Sequence, residues 1–348
     1  MDTDNKRGLA GMLWLGLLLL LVALLAGCAV ANRFYVPPDL ETAEIQGTPA
    51  APAAPDRLSL TTWNVGYAGM GAESDFFLDL GTQRRPLSGA LVDRNLAMIQ
   101  DTLAGLDSDL FLLQEAARPS WVTYRRDVLG GLVTALPGYA WTFGPDVNTR
   151  FVPPPFNVQV GNATFSRVPL ASAERRGLPL EPTFELGLFR KGYRMHIVRI
   201  DADRAWVIVN IHLSTFDSAE DDVRGAQVAA LMEFAQAEYA RGNHVVIGGD
   251  WNLRLAAVDF PHTSDERFEF WVRDFPEDAL PEGWRFAIDR SVPTVRGAHA
   301  PYVAGENFTH IIDGFLVSPN VRVASVAASN LGFEFTDHHP VRVELVAR

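Results

Sequence analysis

Apolar runs of five to seven residues recur from residue 58 to the end of the chain, and their length is the tightest constraint on the fold. They are Leu58–Trp63, Leu110–Gln114, His196–Ile200, Trp206–Ile211, His244–Gly248, Ile311–Val317, Val321–Ala327 and Val341–Val346. Runs this short, rich in Val, Ile and Leu and bounded by turn residues, suit buried strands. Two segments carry the helical period instead. Arg94–Leu106 puts Leu96, Ile99, Leu103 and Leu106 on one stripe, and Asp221–Arg241 puts Val223, Ala230, Leu231 and Phe234 on another, with Gly242 as a stop signal. Strands outnumber helices, and strand–helix–strand units do not alternate regularly. The expected class is α+β, with mixed β-sheets covered by helices. No Pro/Gly/Ser-rich break divides residues 57–348, so they are expected to form one domain.

Upstream of residue 57 the composition changes. Lys6 and Arg7 precede an apolar run, Leu9 to Ala26, that ends in Leu25-Ala26-Gly27-Cys28. Basic residues, an apolar stretch and small residues before a cut mark a secretory signal. Cys28 is the single cysteine of the chain, which excludes disulfides within it. The string resembles a bacterial lipobox, which implies removal of residues 1–27 and a lipid on Cys28. The alternative is an uncleaved anchor, because the run is close to the roughly 17–25 residues that cross a bilayer. Between Asn32 and Asp56, Pro37, Pro38, Pro49, Pro52 and Pro55 stand among alanines without apolar periodicity. Residues 28–56 therefore read as a tether with a reach of about 25–30 Å. The expected location is the cell envelope, membrane-anchored and facing the periplasm or the exterior.

A formal net charge of −12 argues against a protein that coats duplex DNA, since such affinity comes from Lys and Arg neutralising phosphates. The pairs Arg84-Arg85, Arg125-Arg126 and Arg175-Arg176 are isolated and read as solvated surface. No stable duplex DNA partner is expected, and the chain is expected to be a monomer.

Five polar strings are expected at the C-terminal ends of strands: Thr62-Trp63-Asn64-Val65, Leu113-Gln114-Glu115, Asn210-Ile211-His212-Leu213-Ser214, Gly248-Gly249-Asp250-Trp251-Asn252 and Thr336-Asp337-His338-His339-Pro340. A sixth, Ile312-Asp313-Gly314-Phe315-Leu316-Val317, opens a strand with a carboxylate. Singly, each has an ordinary reading as a turn asparagine, a surface acid or a structural histidine. Asn64, Asn252, Glu115, Asp250, Asp313, Asp337, His212 and His338 among them gather two Asn, one Glu, three Asp and two His at strand ends. Buried as a group, these would be costly without a cation to compensate them.

In this order the strings resemble the endonuclease/exonuclease/phosphatase superfamily, whose members include pancreatic deoxyribonuclease, abasic-site endonucleases, inositol polyphosphate 5-phosphatases and neutral sphingomyelinases. Gly161-Asn162-Ala163-Thr164-Phe165-Ser166-Arg167 adds to the likeness, which spans nearly all of Leu58 to Val346. Thr336 departs mildly from the pattern, standing where serine is common. The resemblance implies a four-layer α/β/β/α sandwich with two central mixed sheets, and hydrolysis of a phosphoester substrate. It implies Glu115 as central ligand of Mg2+, with Mn2+ as a substitute, and Asn64 and Asp337 beside it. His338 would act as general base or stabilise charge at the phosphoryl group, oriented by Asp313. Asp250 would align or deprotonate the attacking water, and Asn252 would donate to phosphoryl oxygens. His212 would contact the phosphate, with protonation of the leaving oxygen as a further role, and Asn162 would bind substrate. His339 is expected to be structural, because neighbours along an extended segment face opposite ways. His196, His244, His262, His299 and His310 take the same reading, with a place near the site the minor alternative for His310.

Three functions remain open on the residues alone. The first is a membrane-tethered phosphodiesterase or phosphatase acting on a lipid head group or small phosphoester. The second is a tethered or secreted nuclease. The third is a catalytically silent binding module, which would have lost part of the polar set, whereas here the set is complete. Residues 66–86, with Phe76, Phe77 and Leu78, and residues 151–156, with three consecutive prolines, read as loops inserted near the site. For the N-terminus, fatty-acid labelling should tag the protein and Cys28→Ser should abolish the tag. An unlabelled protein that keeps Met1 would instead have an uncleaved anchor.

Overall fold

The computed structural model describes residues 2–34, 37–51, 57–152, 157–180, 191–200, 205–217 and 222–348. Four helices run through them: α1 (Asp2–Phe34), α2 (Gly89–Leu106), α3 (Val128–Ala135) and α4 (Val223–Ala240). The strands begin with β1 (Leu40–Thr42), β2 (Arg57–Asn64), β3 (Leu110–Ala117), β4 (Ala140–Asn148), β5 (Gln159–Ser166), β6 (Leu170–Gly177), β7 (Arg194–Ile200) and β8 (Trp206–His212). They continue with β9 (His244–Asp250), β10 (Arg285–Ala287), β11 (Val295–Arg296), β12 (Thr309–His310), β13 (Asp313–Val317), β14 (Val321–Ala328) and β15 (Val341–Ala347).

One sheet has the order β14-β15-β2-β3-β5-β4 and the other β1-β6-β7-β8-β9-β13-β10, with β11 and β12 paired separately. Both are mixed: β2 runs parallel to β3 and β8 parallel to β9, while their other neighbours run antiparallel. Strand alternation then builds the layers. Leu58, Leu60, Leu110 and Leu112 point between the sheets and meet Val198, Ile208, Val246 and Phe315. Trp63, Phe111 and Leu113 point outward to Val92, Ile99 and Leu103 of α2 and Leu132 of α3. On the far side Val207, Val209, Val245 and Ile247 pack on Val228, Leu231 and Ala235 of α4. This is the four-layer α/β/β/α sandwich. Ser88 caps α2 by accepting from Leu91 N, and Asp222 caps α4 by accepting from Gly225 N.

Several local expectations change. Residues 28–56 read as a tether, yet Leu40–Thr42 forms the edge strand β1 on β6, Ala43 is buried, and Gln46 bridges to Trp141. Three residues are too few to show periodicity, and an edge strand needs only one partner. Pro52 and Pro55 lie outside the described residues, as do Asp221 and the run 153–155. The strands β4 and β6, at or near sheet edges, also escape the search for apolar runs. The string Thr336–Pro340 leads into β15 rather than following a strand.

The N-terminal helix continues through Cys28. Ala10–Asn32 is long and apolar enough to cross a membrane; its apolar stretch is exposed, and Asn32 at its end is buried. At its foot Asn32 Nδ2 donates to Cys28 O at 2.9 Å, and Asn32 Oδ1 accepts from Phe151 N at 3.3 Å. The end of the helix therefore touches the segment that follows β4.

Candidate active site

Three adjacent strands align one polar residue each. His212 at the end of β8 is in register with Asp250 at the end of β9, and Asp250 with Asp313 at the start of β13. Because β13 runs antiparallel to β9, its first residue reaches the same edge as the last residues of β8 and β9. The close approach of β8 to β9 needs Gly249, where any Cβ would run into the Ile211 carbonyl.

The facing sheet supplies its own polar edge. β2 ends at Asn64, opposite Gln114 of β3. The pairing of β3 with β5 then skips register between Leu113 and Ala116, and Glu115 takes φ 56°. That left-handed backbone costs about 1–2 kcal/mol for a residue with a side chain. Glu115 follows Gln114, which is buried between the sheets. β15 is antiparallel to β2, with Val341 opposite Thr62, so the residues before it meet the same edge. Thr336 Oγ1 donates to Asn64 O at 3.0 Å and accepts from His338 N at 3.3 Å. Trp63 Nε1 donates to His338 O at 3.0 Å.

The two edges are stitched together by side chains. His338 Nδ1 is 2.8 Å from Asp313 Oδ2, and its Nε2 is 3.6 Å from Asp250 Oδ2. Asn64 Nδ2 donates to the same Asp250 oxygen at 3.0 Å, and His212 Nε2 stands 3.7 Å from it. Asp250 Oδ1 accepts from Asn252 N at 2.9 Å, while Asn252 Nδ2 holds Leu213 O at 2.8 Å. Thr294, which no motif marks, accepts from both Ile312 N and Asp313 N at 3.0 Å and so fixes the start of β13.

A cavity of about 560 Å³ opens over this row. Asn64, Glu115, His212, Asp250, Asn252, Asp337 and His338 line it, and Asp313 stands behind His338. Asn162 is not brought to the wall. It shares a strand face with Thr164, which accepts from Asn210 between the sheets, and neither amide atom of its buried side chain has a hydrogen-bond partner. His339 is structural: Nδ1 bonds Pro293 O at 2.8 Å and the ring stacks on Phe333. His310 bonds Glu269 at 2.9 Å, away from the wall. Of the arginine pairs, Arg84, Arg125 and Arg176 are exposed as expected, and Arg175 is the clear departure. Arg84 lines the cavity mouth, and the Arg175 side chain is only 13% exposed.

Charge separates the two histidines. Burial works against an imidazolium at His338, but the carboxylates of Asp313 and Asp250 outweigh it and hold the ring well above its usual range. At His212 burial wins over Asp250 and lowers the value to about 4, so this ring is neutral near pH 7. Burial would also raise Asp250, yet His338, His212 and the Asn64 and Asn252 hydrogen bonds bring it below the usual carboxylate range. Glu115 is raised by burial, against the pull of Lys191 and His338. Asp337 is raised by burial to about 6.

These two raised carboxyls, with the amide oxygen of Asn64, form a hard oxygen set short of positive charge. Asp337 Oδ1 is enclosed without a hydrogen-bond partner. That suits a divalent cation such as Mg2+ or Mn2+. Ligand atoms of Asp250, Asp313 and His338 also lie within 4.8 Å of one another. A cation among those three would compete with the His338–Asp313 hydrogen bond, so Glu115, Asp337 and Asn64 fit the role better.

The Endonuclease/Exonuclease/phosphatase family model matches residues 61–338. The chain belongs to this family of phosphoester hydrolases. No curated protein gives a significant match. Among solved structures, an endonuclease/exonuclease/phosphatase from Beutenbergia cavernae is 19% identical with a TM-score of 0.52, covering 84% of this chain and 72% of its own. One from Bacteroides vulgatus is 15% identical with a TM-score of 0.53, covering 84% and 99%. The human Nocturnin catalytic domain with bound sulfate is 14% identical with a TM-score of 0.50, covering 88% and 98%. At these identities the likeness is one of fold.

The opposed shifts are measurable. In chelator, imidazole nitrogen NMR should find His212 neutral at about pH 6, below the ordinary histidine value of about 6.5, and His338 still doubly protonated at about pH 8. Both rings titrating together near 6.5 would contradict the electrostatic reading.

Proposed function

We propose that the chain is a Mg2+-dependent enzyme that hydrolyses a phosphoester of a lipid at a membrane surface. The observation that carries this reading is the wall of the cavity. Above the polar floor it is mostly apolar, with Met70, Phe76, Phe77 and Leu78 on one side and Val152 and Val160 among those on the other, and Arg84, Lys191 and Arg296 as its cations. A nucleic-acid cleft would place cations where the backbone runs. This one offers largely apolar surface, whose burial against a lipid is worth about 25 cal/mol per Å². The N-terminus supports the same substrate. Thr149 and Val152 line the cavity, and Phe151 between them bonds Asn32, one helical turn from Cys28. Acylation of Cys28, or the helix itself as anchor, would hold the cavity beside lipid and raise its effective concentration.

The residues then divide the chemistry. Mg2+ held by Glu115, Asp337 and Asn64 would supply neutralisation of the phosphoryl oxygens. Asp250, kept ionised, aligns the attacking water and can take its proton. His338, kept protonated by Asp313, stabilises charge developing on the phosphoryl group. His212, neutral, donates a hydrogen bond to the phosphate rather than a proton to the leaving oxygen. Asn252 positions Asp250 through its backbone N–H.

The full chain in detergent should hydrolyse bis-nitrophenyl phosphate with Mg2+ or Mn2+ and not in chelator. His338→Ala and Asp250→Ala should each lower the rate about 10²–10⁴-fold. Offered head-group phospholipids and supercoiled plasmid at matched phosphate, it should prefer the lipid. Faster plasmid nicking, lost in His338→Ala, would make it a tethered nuclease instead.

A further inference from the structure

A second, smaller pocket of about 140 Å³ adjoins the first and shares Lys191 with it. Its character is opposite. Among the described residues, Arg150, Arg175, Lys191 and Arg194 face Glu41 and Asp146, leaving two positive charges in excess in a chain whose net charge is −12. Two of the cations are buried, the Arg175 and Arg194 side chains being only 13% and 6% exposed, while Arg150 is exposed at the rim.

Their hydrogen bonding is uneven. Arg194 is well held, with Nη1 on Glu41 Oε2 at 2.6 Å and Nη2 on Pro38 O at 2.9 Å. Arg175 reaches Glu41 at 3.3 Å and Phe143 O at 3.2 Å, while its buried Nε has no partner. Burial, with Arg194 beside it, holds the Arg175 guanidinium below its ordinary value, and Glu41 only partly offsets this. The Lys191 ammonium lies 5.4 Å from the centre of the Tyr193 ring and has no hydrogen bond or ion pair among the described residues. Buried cations short of acceptors favour an anion that offers several oxygens.

The geometry points to this pocket as a binding site for a phosphate-class anion, separate from the phosphoester that undergoes hydrolysis. Asn32 and Pro37 also line it, so it opens beside the foot of the N-terminal helix. An anionic lipid head group would approach from there, while its neighbour in the apolar cavity meets the catalytic row. The proposal rests on the lipid reading only for the source of the anion. The shared group is the phosphate, and a soluble phosphate satisfies the same cations.

The test is calorimetry on the full chain in neutral detergent with chelator, so that no turnover occurs. Short-chain phosphatidylglycerol, glycerol phosphate and inorganic phosphate are titrated separately. At least one should bind saturably. Arg175→Gln should weaken that binding about tenfold or more, the loss of one charge-assisted hydrogen bond, while His338→Ala leaves it intact. Glu41→Gln removes the competing carboxylate and should tighten it several-fold. This sign separates a binding role from a structural one, because both substitutions cut the ion pair that holds β1. Tighter binding of the lipid identifies a head-group site, and equal binding of inorganic phosphate a soluble-anion site. Absence of saturable binding, equal weakening by both substitutions, or loss in His338→Ala would overturn the proposal. Failure of hydrolysis alone would not touch it.

Discussion

The hydrogen bond from His338 to Asp313 joins the two sheets, and the whole site hangs on that seam. His338 precedes β15 of one sheet, and Asp313 opens β13 of the other. Asn64 to Asp250 crosses the same gap. So does Gln114 to Asn210, at 2.7 Å beneath the cavity floor. The inter-sheet core is otherwise mostly Leu, Ile, Val and Phe with Trp206, which fix the spacing of the layers without fixing their slide. Directional polar contacts at the open edge set the register, and the same contacts hold imidazole and carboxylate in working order.

Such a seam is expensive. Asp250, Asp313 and His338 are each at most 5% exposed, and burial drives the other two acids towards protonation. Mutual pairing meets part of the cost: one imidazolium between two carboxylates, two amides on Asp250. The remainder falls on Glu115 and Asp337, where the fold accepts a strained backbone at Glu115 and an unpartnered oxygen at Asp337. A site that is incomplete in this way would favour a cation that supplies the missing charge.

Much of this was legible beforehand. The motif residues stand where buried strands must stop, and period-two alternation forces a strand buried on both faces to separate two cores. What escaped was set by partners far away in sequence. Thr294 is an unremarkable loop threonine until β13 begins beside it. Phe76, Phe77 and Leu78 read as a loop near the site and do line the cavity, but without periodicity nothing in the sequence shows that they form one of its walls. Arg175 looks solvated because its strand is polar, but β1 and Asp146 close over it. Asn162 matches its motif in sequence, while its strand face turns it between the sheets.

A cation held by Glu115, Asp337 and Asn64 would leave Asp250, Asp313 and His338 free for proton and phosphate. Anomalous diffraction from crystals soaked in Mn2+ tests that placement directly. The expected result is a peak about 2.0–2.3 Å from carboxylate oxygens of Glu115 and Asp337, with the His338–Asp313 hydrogen bond intact. A peak enclosed instead by Asp250, Asp313 and His338, or none at saturating Mn2+, would contradict it.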